Sequence, residues 1–186
     1  MSRKRIFIKN MVCDRCKSTI LRELDGLGYD INSVELGQIV LNEGKAIQHS
    51  KLEEMLKKHG FEIIQEETDV LLEEIKIALI EKIENYADVN LSTFLTERFN
   101  KSYSVLSKLF SKGVGVTIEK YEINLKIEKV KELIQLGQLN FSQIAYNLDY
   151  SNSGYLARQF KNVTGISMTS FKNIQKWDRK SMDKIV

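Results

Sequence analysis

Proline is absent from all 186 residues of this chain. Its turns must therefore be built from Gly, Asn, Asp and Ser. Cysteine is almost as scarce, with only Cys13 and Cys16. Two intervening residues are too few for a fold-stapling disulfide, so the pair reads as a metal or thiol site. No run approaches the roughly 18 apolar residues of a membrane-spanning helix, and none is expected. The basic start MSRKRIFIKN lacks the apolar stretch of a secretory leader, so the expected location is the cytoplasm. Histidine occurs twice, as His49 in a polar stretch and as His59. His59 closes a helical segment, where a partly positive imidazole suits the helix C-terminal dipole.

Catalytic groupings are missing as well. Gly44-Lys45 has neither the upstream Gly nor the following Ser/Thr of a phosphate-binding loop. Gly113-Val114-Gly115 follows a helical segment instead of a strand, which excludes a dinucleotide fingerprint. The carboxylates form no recognisable catalytic pair, and a cysteine nucleophile would want a histidine that the sequence does not place near Cys13. The expectation is a binding protein, not an enzyme.

At 42% hydrophobic and 28% charged, the composition is that of a globular protein with one large or two small domains. The net charge of +3 hides an asymmetry: residues 1–88 balance to −4 and residues 89–186 to +7. One basic half beside an acidic half suggests that only one of them meets a polyanion.

The first 66 residues alternate strand and helix signals. Ile6 and Ile8 mark a strand, and Ile20, Leu21 and Leu24 mark a helix from Asp14 towards Gly28. Val34 and Leu36 alternate, Gly37-Gln38 permits a tight turn, and Ile39 and Leu41 alternate again. Leu52, Met55 and Leu56 make a second helix ending at Gly60, before a last strand at Phe61 and Ile63. The order β-α-β-β-α-β is the ferredoxin-like arrangement. After Glu66, Leu71, Leu72, Ile75, Ala78, Leu79 and Ile83 predict an amphipathic helix. Short helices follow as far as about Lys176, with one long helix from Ile118 to Leu136. The expected fold class is an α+β ferredoxin-like domain, residues 1–66, followed by an all-α domain, residues 67–186.

Within the helical half the chain repeats. SYSVLSKLFSKGVGVTIEKY (102–121) resembles NSGYLARQFKNVTGISMTSF (152–171) at an offset of 50. Leu106 meets Leu156, Phe110 meets Phe160, Gly115 meets Gly165 and Tyr121 meets Phe171. Upstream, LSTFLTERFN resembles FSQIAYNLDY at an offset of 49, so the second copy has one extra residue in its turn. Each copy predicts helix, turn, helix, with Asn100 and Asp149 at positions that tolerate a left-handed backbone. Leu106 with Phe110, and Leu156 with Phe160, face inward. Ser104, Ser107 and Lys108 then face outward in the first copy, and Gly154, Tyr155 and Arg158 in the second. Lys and Arg donate to guanine acceptors in a major groove, and Arg158 is the leading base-reading candidate. Lys112 and Lys161 suit phosphates, which position without specifying. Successive major grooves lie about 34 Å apart. A helix over 118–136 is near 28 Å long at ~1.5 Å per residue, so one chain can space two reading heads.

The segment DYSNSGYLARQFKNVTGISMTSFK, the paired units and the connecting helix resemble an AraC-type transcription regulator over about residues 75–175. The resemblance implies two helix-turn-helix units joined by a long helix, with double-stranded DNA and RNA polymerase as partners. Its reading helices fall at 102–112 and 152–161, adding Ser102, Tyr103, Asn152 and Ser153 to the DNA-facing set. Where that family usually has Gly, this chain has Asn100 and Asp149. The N-terminal segment is similar to a heavy-metal-associated domain, through its fold order, Met11-Val12-Cys13-x-x-Cys16 and Gly60-Phe61, although Asn10 replaces the usual Gly. Helix N-terminal amides with Arg15 and Lys17 are expected to favour thiolates at Cys13 and Cys16. Such a pair suits Cu(I), or half of a tetrahedral Zn²⁺ site. A structural or dimerisation role, and thiol redox sensing, stand beside metal binding. The runner-up for the whole chain is a metal- or thiol-handling protein with a helical interaction domain.

Overall fold

Alternating apolar residues at Ile6 and Ile8 produce the central strand of a small sheet, β1 (Arg3–Lys9). The computed structural model describes residues 3–42, 48–85 and 89–173, in two compact units that meet between Ile77 and Ala78. Gly44-Lys45 and the residues after 173, including Lys176, lie outside the described residues.

In the first unit β1 is followed by α1 (Asp14–Gly26), β2 (Ile31–Glu35), β3 (Gln38–Asn42), α2 (His49–Lys58) and β4 (Glu62–Ile64). The antiparallel strands lie in the order β2-β3-β1-β4. Ile6 pairs with Ile39, which puts Ile6, Ile8, Ile39 and Leu41 on one face. These four form a core with Ile20 and Leu24 of α1 and Leu52, Met55 and Leu56 of α2. Both helices stop on the same motif. The Gly28 N–H donates to Asp25 O (2.9 Å) and the Tyr29 N–H to Leu24 O (3.1 Å); Gly60 and Phe61 repeat this on Lys57 and Leu56. His59 ends α2 and faces Glu23, with Nε2 3.6 Å from the carboxylate.

The hairpin turn falls at Leu36-Gly37, one residue earlier than the sequence suggests. Glu35 pairs with Gln38, so Gln38 opens β3 and Leu36 is a turn residue. Gly37 sets this register. Its φ is +75°, its carbonyl accepts the Ile8 N–H at 2.8 Å, and a Cβ there would lie 2.4 Å from Ile77 Cδ1. The helix α3 (Glu67–Glu84) also departs from expectation. Ile77, Ala78, Leu79 and Ile80 are all buried, so it is enclosed through this stretch instead of exposing one polar stripe.

The boundary falls within α3, and in the second unit its remainder is followed by α4 (Leu91–Phe99), α5 (Tyr103–Val114), α6 (Ile118–Leu136), α7 (Phe141–Asn147), α8 (Ser153–Thr164) and α9 (Met168–Asn173). The spine is α6, which buries Ile118, Tyr121, Leu125, Ile127, Val130, Leu133 and Ile134. It also buries charge in pairs: Lys131 with Glu128 (2.9 Å), and Lys129 with Glu84 (2.6 Å) and Glu132 (3.1 Å). Lys82 of α3 pairs with Glu122 at 3.1 Å. Breaking a buried pair by removing one partner is costly, because the remaining charge stays desolvated.

Gly37→Ala is expected to destabilise the protein by about 1–2 kcal/mol for forcing an L-residue into a left-handed turn, with the clash against Ile77 Cδ1 added to that. Urea unfolding checks this, and Gly37→Ala with Ile77→Val should recover only the steric share of the loss.

Candidate nucleic-acid interface

Each of the two helix pairs, α4–α5 and α7–α8, is set by its caps. Asn90 and Asn140 cap the first helices, accepting from Ser92 N–H and from Ser142 and Gln143 N–H respectively. Asn140 and Gln143 complete a reciprocal capping box. The turns pass through Asn100 (φ +48°) and Asp149 (φ +57°), the left-handed positions expected from the sequence. After Asp149 the chain closes as in the first unit, Asp149 N–H donating to Tyr146 O and Tyr150 N–H to Ala145 O. The caps at 90 and 140 lie 50 apart, and the left-handed residues 49 apart. The second copy thus reaches its left-handed residue one position sooner after the cap and takes one residue more from there to the next cap, which restores the offset at caps Ser102 and Asn152.

The second helices are pinned alike. Leu106 and Phe110 of α5, and Leu156 and Phe160 of α8, are buried. Phe110 meets Tyr121 edge-on (5.3 Å, 69°), and Phe160 meets Phe171 (5.6 Å, 67°). Both helices end at left-handed glycines, Gly115 and Gly165. With the inward stripe fixed, the opposite face is open. Lys108, Ser104, Lys112 and Ser102 are exposed on α5 or at its cap, as are Arg158, Tyr155, Gly154, Lys161 and Asn152 for α8. Ser107 and Ser153 are half-buried. Asn152 is engaged as a cap, its side chain accepting the Tyr155 N–H at 2.8 Å. Tyr103 is half-buried, and its hydroxyl donates to Glu119 of α6 at 2.5 Å. Burial and that neighbouring carboxylate push the phenol above its usual range, while the hydrogen bond holds Glu119 below the ordinary carboxylate value.

One exposed residue escaped the sequence reading. Val105 is 55% exposed at the position equivalent to Tyr155, itself 49% exposed. The offset of 50 that paired Lys108 with Arg158 also pairs these two, so the repeat carried the signal. An exposed aliphatic side chain on this face can contact a thymine methyl.

In the first unit, Cys13 caps α1 and Cys16 lies in its first turn, both half-buried. Their sulfurs are 3.1 Å apart. The expected thiolate character is not what this geometry favours at Cys16. Burial, followed by the shared hydrogen bond with Cys13, raises the Cys16 thiol above its ordinary value. The nearby Lys17 is bound to Asp14 at 2.9 Å, and Arg15 points to solvent. Met11 is fully buried, and Asn10 before it adopts φ +71°, a conformation glycine would take without strain.

This paired helix-turn-helix frame defines the class of the helical half, and comparison with known proteins agrees. A family model described as a helix-turn-helix domain matches residues 95–174. The Msm operon regulatory protein of Streptococcus mutans serotype c is 26% identical over 78 residues, 42% of this chain and 28% of that protein. The chain therefore spans little more than a quarter of that relative's length. Among solved structures, the C-terminal domain of AraT, a response regulator from Geobacillus stearothermophilus, is similar with a TM-score of 0.52 at 19% identity. It covers 60% of this chain and 90% of that one. The C-terminal domain of the response regulator yesN from Fusobacterium nucleatum has a TM-score of 0.48 at 24% identity, over 54% and 95% of the two chains. Among the described residues no helix is long and apolar enough to cross a membrane.

Alkylation of Cys16 by iodoacetamide should be slower at pH 8 than that of a free thiol, and should keep rising beyond pH 9. A rate that levels off below pH 8, followed by peptide mass spectrometry, would contradict the raised thiol.

Proposed function

We propose that this chain is an AraC-type, sequence-specific DNA-binding transcription regulator that reads two successive major grooves of one duplex. The observation that carries the reading is the duplicated frame. Two helices, each pinned by the same aromatic contact, expose Lys108 and Arg158 at equivalent positions. Between them lies α6, whose 19 residues give about 28 Å of rigid helix. The surplus of +7 over residues 89–186 supports a polyanionic partner. Arg158, Lys108, Ser104, Tyr155 and Val105 face base edges in this reading. Lys112, Lys161 and the helix N-termini at Ser102 and Asn152 hold phosphates. RNA polymerase is the second partner of such a regulator.

The first unit, in this proposal, is a ferredoxin-like, heavy-metal-associated-type sensor module, a reading supported by its element order and strand order. Its ligand is a soft ion held by Cys13 and Cys16. Among the described residues no three His, Cys, Asp or Glu side chains gather in one place. Two thiolates fit Cu(I) better than a Zn²⁺ ion that wants four donors. Two thiolates on one Cu(I) ion stand on opposite sides of it, further apart than the present 3.1 Å between the sulfurs, so binding turns the two side chains outward around the ion. When Cu(I) displaces the protons of both thiols, one positive charge meets two negative ones, so occupancy leaves one net negative charge in the loop.

Duplex binding should weaken steeply as salt rises, because bound phosphates release counterions. Arg158→Ala should cost about 1–3 kcal/mol on a selected site and much less on unrelated duplex. Equal losses on both, in fluorescence anisotropy titrations, would rule out base reading by Arg158. A salt-independent chain that binds metal stoichiometrically would instead support a metal-handling protein with a helical interaction domain.

Replacing Cys13 and Cys16 together by Ser should abolish any effect of Cu(I) on duplex affinity while leaving metal-free binding intact. The same titrations with and without the ion check this, and a wild type indifferent to Cu(I) removes the sensor role.

A further inference from the structure

Tyr150 lies in the turn between α7 and α8, and four separate groups hold it. Its backbone N–H closes the end of α7 on Ala145 O at 2.9 Å. Its ring lies under the Lys126 ammonium of α6, which stands 5.4 Å from the ring centroid. The same ring meets Tyr155 of α8 at 6.0 Å and 49°. Its hydroxyl donates to Gln159 Oε1 at 2.5 Å. Tyr155 and Gln159 are four apart on α8 and so share one face of the helix. Neither Tyr150 nor Gln159 has a role in the groove-reading set above.

We infer that Tyr150 is a positioning residue for the second reading helix: it fixes the amide of Gln159 and the ring of Tyr155 against α6. The consequence for recognition is chemical. A Gln amide can turn either end outward, one an acceptor and the other a pair of donors. With Oε1 taken by the phenol, only the NH₂ end is free. Gln159 then joins the Tyr155 face as a donor, suited to an acceptor on a base edge of the duplex, guanine or adenine N7. Turn, connecting helix and reading helix are tied at one side chain, so the aim of Tyr155 does not rest on α8 alone. Burial raises the Tyr150 phenol, which keeps its proton for this bond across the physiological range.

The inference rests on the DNA-reading proposal, and two measurements on the full chain separate their failures. Tyr150→Phe keeps the ring and drops the hydroxyl, and Gln159→Leu keeps the bulk and drops the amide. Each should weaken binding to a duplex enriched from a randomised library about three- to tenfold, the change expected from one lost hydrogen bond. Binding to an unselected duplex should not change. The double variant should lose no more than either single one, because both remove the same link. Multiplying losses, or equal losses on the two duplexes, would overturn the inference. The second measurement needs no DNA. The Gln159 side-chain amide signals in a ¹⁵N-correlated NMR spectrum should shift towards free-amide values in Tyr150→Phe. If they stay in place, Tyr150 does not position Gln159. A wild type that enriches no duplex sinks the DNA-reading proposal, and the amide signals then decide the Tyr150–Gln159 link alone.

Discussion

The repeated edge-on aromatic contact, Phe110 on Tyr121 and Phe160 on Phe171, is the constraint on which the helical unit depends. Each contact buries the second helix of a pair against the helix that follows it. An aromatic pair is worth about 0.5–1.5 kcal/mol beyond its buried area, and its geometry is directional. Because Leu106 and Leu156 lie one turn before the phenylalanines, the inward stripe of each helix is fixed. Everything displayed outward follows from it: Ser104, Val105 and Lys108 in one copy, Gly154, Tyr155 and Arg158 in the other. The rest of the frame serves this arrangement. Capped helix starts set where each turn begins, and left-handed residues set how sharply the chain reverses.

Charge is handled in two ways. On the outward faces lysine and arginine stand in solvent, where they cost little and can trade water for phosphate. Along α6 they are taken inside and paired, as Lys129 is with Glu84 and Glu132, and Lys131 with Glu128. Burial lowers the ammonium of Lys126, whereas carboxylate partners raise that of Lys129 against the same desolvation. Buried pairs contribute less to stability than hydrophobic replacements often do, but removing one partner leaves the other charge desolvated.

Much of this was legible in the residues. The offset of 50 foretold the buried Leu/Phe pairs, the terminal glycines and the exposed Lys108 and Arg158. The left-handed turns at Asn100 and Asp149 followed from residue types that tolerate a left-handed backbone better than most non-glycine residues. The order β-α-β-β-α-β was readable from alternation alone. Other features were not. The turn at Leu36-Gly37 was misplaced by one residue, because a half-buried Leu36 extends the strand pattern into the loop. The burial of four consecutive residues of α3, Ile77 to Ile80, is something a single-face periodicity does not express. The Cys16 thiol was expected to ionise readily, but Lys17 is claimed by Asp14, and burial outweighs the helix N-terminus. Tyr103 bound to Glu119, and Tyr150 bound to Gln159, are long-range pairs that spacing along the chain does not signal.

The proposed function requires a single chain to grip one side of a duplex at two places. Hydroxyl-radical footprinting of the full chain on a library-selected duplex tests that claim most directly. The account expects two protected patches on one face, about one helical turn or 10 base pairs apart. A single patch, or protection encircling the duplex without periodicity, would contradict it.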